Sequence, residues 1–338
     1  MDYCRSTMNR KITLLICVAT VAFFSSCKTN PPNIIVAPVE YSRVFITANI
    51  DSAQIILDNV NTGKITPDTI EATVGNHSIR LDKTGYISST LNVNVQKNVV
   101  AQLNFLMRST ALQKIVLLED FANVSCDPCV LSNAIIKKLV EESYGHSKLV
   151  AIKFPTNFPS PTDPLYLANP AACNLRMAFY NIMLAPTIII DGIGKPTATD
   201  STSIKSFIDQ RLQEVPKFYI EVSNMAVGGN LDIDISLEVY DTTGLDFDDL
   251  VLHTVVTESE IDFINPPGSN GETKFYDVMR VMLPSNDGES MLSYNEVRVY
   301  DIERNAAISS GWDANRLNTI VFVQNNMTKE ILQCGSTF

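Results

Sequence analysis

Lys114-Ile115-Val116-Leu117-Leu118 runs through Glu119-Asp120-Phe121-Ala122-Asn123-Val124 into Ser125-Cys126-Asp127-Pro128-Cys129, and this stretch decides the fold. A continuous apolar run marks a strand covered on both faces. Behind the cysteines, Val130, Leu131, Ala134, Ile135 and Leu139 recur at helical spacing. Leu149-Val150-Ala151-Ile152-Lys153-Phe154 predicts a second buried strand, and Leu175, Phe179, Ile182 and Met183 a second helix. Pro186-Thr187-Ile188-Ile189-Ile190-Asp191-Gly192 predicts a third strand, opened by proline and closed by a turn. Ser203 to Leu212 reads as a final helix. The alternation predicts an α/β unit over residues 112–215 with a partly parallel sheet.

The flanks differ in period. Over residues 42–108, Val44, Ile46 and Ala48 alternate with Phe45, Thr47 and Asn49, and Leu91, Val93 and Val95 alternate with Asn92 and Asn94. Turn signals at Asp58-Asn59, Asn61-Thr62-Gly63, Gly75-Asn76 and Thr84-Gly85 separate the runs, which predicts a small antiparallel β-sandwich. The span from Phe105 to Ala111 reads as the joint to the α/β unit. Residues 217–338 are β again: Leu231, Ile233, Ile235, Leu237 and Val239 alternate with Asp232, Asp234, Ser236 and Glu238. An immunoglobulin-like sandwich fits, although Trp312 is the single tryptophan and no Cys-Trp-Cys pattern exists.

The N-terminus reads as an address. Residues 1–11 are basic, and Ile12 to Phe24 is an apolar run too short to span a bilayer comfortably. Phe24-Ser25-Ser26-Cys27 resembles a bacterial lipobox, which implies cleavage after residue 26 and lipidation of Cys27. Multiple acyl chains suffice for stable anchoring. Lys28, with no acidic run after it, suits the outer membrane by resemblance to lipoprotein sorting. Residues 27–41 carry Pro31, Pro32 and Pro38 and read as an extended tether.

Composition excludes several classes. The 338 residues are 45% hydrophobic and 19% charged, enough for a sizeable core. The segment before Cys27 holds Arg5, Arg10 and Lys11 against Asp2, which leaves the remainder with 23 bases and 36 acids, a net charge of −13. Such a chain offers no basic face for nucleic acid. Three dispersed histidines, His77, His146 and His253, argue against a His-rich metal site or a Ser-His-Asp hydrolase. No cofactor motif is evident. His77 reads as a turn or surface residue.

The chemistry centres on Cys126 and Cys129. Of seven cysteines, Cys4 and Cys17 fall in the leader and Cys27 takes the lipid. Cys126, Cys129, Cys173 and Cys334 remain for an oxidising compartment. A zinc site would need two further ligands that the neighbourhood lacks. At a helix N-terminus, unpaired N–H groups and the helix dipole stabilise a thiolate. Cys126 is therefore expected to face solvent as the attacking sulfur, and Cys129 to be the sheltered, resolving one. Cys173 is read as a core thiol, a partner for Cys334 or a third redox thiol.

The Glu119–Cys129 stretch resembles the strand, active-site loop and helix start of thioredoxin-like proteins. The resemblance implies that Asp120 is a buried acid passing protons to the resolving thiol; a strand-end carboxylate in water is the alternative. It also implies that Ala185-Pro186-Thr187 is the cis-proline loop opposite the cysteines; a trans proline opening a strand is the alternative. Three departures stand out: Ser125 replaces the usual tryptophan, Asp127 places a negative charge between the sulfurs, and a proline-rich insert (Pro155, Pro159, Pro161, Pro164, Pro170) follows the second strand. Gly63-Lys64-Ile65-Thr66-Pro67, Val74 to Ile79 and Lys83-Thr84-Gly85-Tyr86 resemble a PEGA domain. From Leu112 onward, Leu252 to Glu258, Val278 to Pro284 and Val321 to Asn325 resemble the twenty-eight-kilodalton outer-membrane protein family.

Two functions remain open. One is an outer-membrane-anchored thiol–disulfide oxidoreductase using Cys126, Cys129, Asp120 and Pro186 on protein disulfides. The other is a non-catalytic envelope lipoprotein whose CxxC is a staple and whose β-modules bind protein or glycan. Neither calls for a metal or cofactor.

Overall fold

The computed structural model describes residues 38–110 and 112–338. The expected leader 1–26, the lipidation site Cys27 and most of the 27–41 tether lie outside the described residues.

Seven strands come first: β1 (Tyr41–Ala48), β2 (Gln54–Leu57), β3 (Val60–Ile65), β4 (Asp68–Thr73), β5 (Gly75–Asp82), β6 (Ser89–Val95) and β7 (Ala101–Phe105). They form two sheets, ordered β4-β1-β7 and β3-β2-β5-β6. Alternation sets the faces: Val44 and Ile46 are buried while Phe45 between them is 38% exposed. Val44, Ile46, Ile55, Ile79, Leu81 and Phe105 share one core. The β2–β3 hairpin closes on Asp58 and Asn59, both at positive φ (47° and 68°), with Leu57 paired to Val60. That is a two-residue turn whose twist suits a hairpin, and Asn and Asp tolerate it best after glycine. The expected joint at 105–111 is shorter than its sequence suggests, because Phe105 and Met107 are core residues.

The middle of the chain adds β8 (Val116–Ala122), α1 (Asp127–Lys138), β9 (Leu149–Pro155), α2 (Pro164–Ala168), α3 (Pro170–Tyr180), β10 (Thr187–Ile190) and α4 (Ser201–Arg211). Every residue of β8 and β9 is buried. β9 lies parallel to β8, and β10 lies antiparallel on the other edge. Side-chain alternation divides the cover between two faces. Val116 and Leu118 pack with Ile136 of α1 and Ile204 and Ile208 of α4. Leu117 and Phe121 pack with Cys173, Met177 and Tyr180 of α3.

Eight strands follow: β11 (Phe218–Val227), β12 (Asn230–Val239), β13 (Leu250–Asp262), β14 (Lys274–Leu283), β15 (Glu289–Ser290), β16 (Val299–Ala307), β17 (Leu317–Asn325) and β18 (Ile331–Ser336). β11-β12-β16 form a separate sheet, whose buried residues pack with Leu252, Val256, Val321 and Val323 of β13 and β17. The other strands do not stand apart from the α/β part. One sheet runs β10-β8-β9-β14-β13-β17-β18, crossing the expected boundary at residue 216 through the parallel pair Lys153–Val278. It also returns toward its start: Ile331 N–H donates to Asp191 O at 2.9 Å, and Lys114 Nζ donates to Ile331 O at 3.1 Å. Fully buried Asp191 binds Lys114 (3.0 Å), Arg211 (2.9 Å) and the Leu117 N–H (2.9 Å) there.

His253 on β13 adds a pH dependence. It is buried, stacks on Phe322 with ring centroids 4.9 Å apart, and neither ring nitrogen has a hydrogen-bond partner among the described residues. Burial, helped by the Arg176 charge, holds its pKa well below 6.5. The unfolded chain therefore takes up the proton first. This contribution to stability is full above about pH 6.5 and falls as pH drops toward the folded pKa, by at most ~1.4 kcal/mol per pH unit. Urea midpoints measured from about pH 8 to pH 5 are expected to fall less for His253→Leu than for the unaltered protein.

Candidate functional site

The site begins at the start of α1. Cys126 is the N-cap residue in extended conformation, and the helix opens with Asp127 and Pro128. Proline there removes an N–H that would have no helical partner, and the Asp127 carboxylate suits the positive end of the dipole. Cys129 N–H donates to Cys126 O at 3.1 Å, and the two sulfurs form a disulfide with Cα atoms 5.3 Å apart. Cys129 is fully buried. Cys126 is only 3% exposed, which corrects the expectation that it faces solvent. Cys126 and Cys129 cluster with Ala122, Ala185 packs against this cluster, and the Ala185–Pro186 peptide is cis.

Two distant segments brace the loop before Cys126. The proline-rich insert supplies one: Asn123 Nδ2 donates to Thr156 O (2.6 Å) and Ser160 O (2.9 Å), and Asp163 accepts the Val124 N–H at 2.9 Å. The β13–β14 connection supplies the other. Asn270 N–H donates to Val124 O (3.2 Å), and Ser269 N–H and Oγ–H donate to Ser125 Oγ and O (3.3 and 3.4 Å). Gly268 makes this approach possible, since a Cβ there would collide with the Val124 carbonyl.

Asp120 lies two residues before Ala122, on the same face of β8 as the disulfide. It is buried at 2% exposure, not a strand-end carboxylate in water. The parallel register sets Asp120 beside Lys153, and the two form an ion pair. Lys153 Nζ also donates to Asn133 Oδ1 at 2.6 Å, and Asn133 Nδ2 reaches Glu272 at 2.9 and 3.0 Å. Asn270 Nδ2 completes the line to Glu272 at 2.7 Å. Asp120 Oδ1 has no hydrogen-bond partner among the described residues. Sequence reasoning missed Lys153 as a site residue. Its signal is a lone charge inside the apolar run Leu149–Pro155, where a charge persists only with a partner.

Neighbouring Glu119 points to the opposite face and is engaged there by Arg176 and Tyr180. Cys173 and Cys334 are both buried free thiols, and burial pushes each up to about 12. They are core thiols, inert near neutral pH.

Sequence and structure comparisons bear on the parts unequally. Residues 41–110 match the PEGA domain family. No curated protein matches the chain in sequence. Among solved structures, HBP35 of Porphyromonas gingivalis is similar at 15% identity and TM-score 0.56, covering 67% of this chain and 75% of its own. That is a likeness of fold over two thirds of the residues. A protein of Agrobacterium tumefaciens aligns at 14% identity and TM-score 0.43, covering 67% and 95%. A domain of the outer membrane lipoprotein Omp28 from Porphyromonas gingivalis aligns at 15% identity and TM-score 0.26, covering 36% and 88%. No helix among the described residues is long and apolar enough to cross a membrane.

Proposed function

We propose that the chain is a thiol–disulfide exchange protein, lipid-anchored to the outer membrane through Cys27, with residues 112–215 acting as a thioredoxin-like unit. Residues 217–338 would be an immunoglobulin-like sandwich sharing its sheet, and the PEGA-like module a spacer above the tether. The observation that carries the reading is a disulfide at a helix N-terminus, packed against Ala185 beside Pro186, with the Asp120–Lys153 pair on the same face of the sheet.

In the reduced protein the Cys126 thiolate attacks one sulfur of a substrate disulfide. A Cys126–substrate bond forms, and the other substrate sulfur leaves as a thiolate that takes up a proton. Asp120 accepts the Cys129 proton, so that Cys129 attacks Cys126, re-forms the internal disulfide and releases the second substrate sulfur as a thiolate. A dithiol reductant must then return two electrons. Lys153 holds Asp120 in place and offsets its charge.

Alkylation of the reduced protein tests the asymmetry. Near neutral pH, Cys126 is expected to react at least about tenfold faster than Cys129, because the helix N-terminus stabilises its thiolate and Cys129 is the more enclosed. Equal rates at the two sulfurs would overturn the assignment. A structural staple is the second reading, favoured by the 3% exposure of Cys126.

A further inference from the structure

A cavity of about 490 Å³ opens between α1 and the first residues of β14, within the size range of small-molecule sites. Val130, Ala134, Ile136 and Val140 give it aliphatic walls. Aromatic rings complete the lining: Phe275, Tyr276, and the stacked pair His146–Phe338, whose centroids are 4.2 Å apart. Burial lowers the His146 pKa, so the ring is neutral near pH 7 and adds no positive charge.

The polar groups are unevenly satisfied. All three lysines on the lining already have partners. Lys153 is held by Asp120 and Asn133. Lys137 sits 3.8 Å from the Tyr276 ring centroid and 3.7 Å from Glu141. Lys274 pairs with Glu260 at 2.9 Å and Asp262 at 2.7 Å. Two carboxylates on the lining have oxygens without hydrogen bonds among the described residues. Asp120 Oδ1 is buried and unpartnered, and the Asp277 carboxyl, brought to the lining by a backbone φ of 52°, accepts none. A buried carboxylate oxygen without a donor is costly, and a ligand carrying N–H donors and positive charge relieves it.

We propose that this cavity binds a small aromatic amine, its ring against Phe275, Tyr276 and the His146–Phe338 stack and its ammonium group on Asp277 and Asp120 Oδ1. Ring-on-ring contact suits the walls, and the Tyr276 face already accommodates one ammonium group, that of Lys137. The proposal does not depend on disulfide exchange.

Calorimetric titration of the intact chain with tryptamine tests it, at about pH 8, where Asp277, raised by burial to about 7, is mostly ionised. Indole-3-acetate, which keeps the ring and reverses the charge, is the control. Tryptamine is expected to saturate one site with a Kd below about 1 mM, and indole-3-acetate to bind at least about tenfold more weakly. Asp277→Asn, compatible with the positive φ, is expected to weaken tryptamine at least about tenfold. Ala134→Trp, on the exposed rim of the cavity, is expected to abolish binding without disturbing the core. No saturation by tryptamine, equal binding of indole-3-acetate, or full binding by Ala134→Trp would each overturn the proposal.

Discussion

Cys126→Ser is expected to abolish disulfide exchange, while Cys129→Ser accumulates a mixed disulfide through Cys126. The asymmetry follows from the two positions on α1. Cys126 is the N-cap, at the helix end whose first N–H groups have no helical acceptor, and as a residue it is 3% exposed. Cys129 lies one turn in and is enclosed. Without Cys129 the covalent intermediate cannot be resolved, so a reduced Cys129→Ser protein should retain a disulfide-bonded partner on a non-reducing gel. Without Cys126 no complex should form, because Cys129 cannot reach a substrate sulfur. The loss is expected to be complete rather than partial, since a serine oxygen does not replace the attacking thiolate. Pro186→Thr should also prolong the complexes, because the adjoining Ala185 packs against the Cys126–Cys129 cluster. Trapping by Cys126→Ser with none by Cys129→Ser would reverse the two roles.

The largest expected loss of stability lies on the other face of β8. Arg176 is 2% exposed and makes two hydrogen bonds to fully buried Glu119, at 2.5 and 3.0 Å. Tyr180 O–H donates to the same carboxylate at 2.6 Å, and Gln324 Nε2 donates to the Tyr180 oxygen at 2.8 Å. Arg176→Met removes the only positive charge bonded to Glu119 among the described residues and leaves a buried carboxylate with one neutral donor. Breaking one side of a buried pair costs about 3–5 kcal/mol. Adding Glu119→Gln should restore part of that loss, because the uncompensated charge disappears. Denaturant midpoints of Arg176→Met, Glu119→Gln and the double variant measure this coupling. A double variant as unstable as the sum of its parts would show that the two side chains do not act as a pair.

The order of elements was legible because each part keeps its own period. The apolar runs Val116–Leu118 and Leu149–Ile152 open strands that are buried on both faces, charged residues included. Leu231 to Val239 alternate and became a strand with one wet face. The place of Cys126 and Cys129 at the start of a helix was legible from their spacing together with the buried strand before them and the helical period after them. The rest depends on pairings that no local pattern encodes. Asp120 meets Lys153 only through the parallel register of β8 and β9. Lys114, at the head of the deciding stretch, is buried because Asp191 and Ile331 O come to it from far along the chain. The near-complete burial of Cys126 was missed for a similar reason. Ser269 and Asn270, more than 140 residues beyond Val124 and Ser125, bind the loop that precedes it. Phe105 and Met107 read as a joint because their alternation ends there, yet both complete the first core. The single sheet spanning β10 to β18 was hidden because β9 and β14 pair at one register point only.

The equilibrium reduction potential of the Cys126–Cys129 pair, measured in dithiol redox buffers, tests the exchange reading most directly. A value between about −270 and −120 mV, the range of disulfides that cycle, is expected. A value below about −300 mV would contradict the exchange reading and leave a structural bridge.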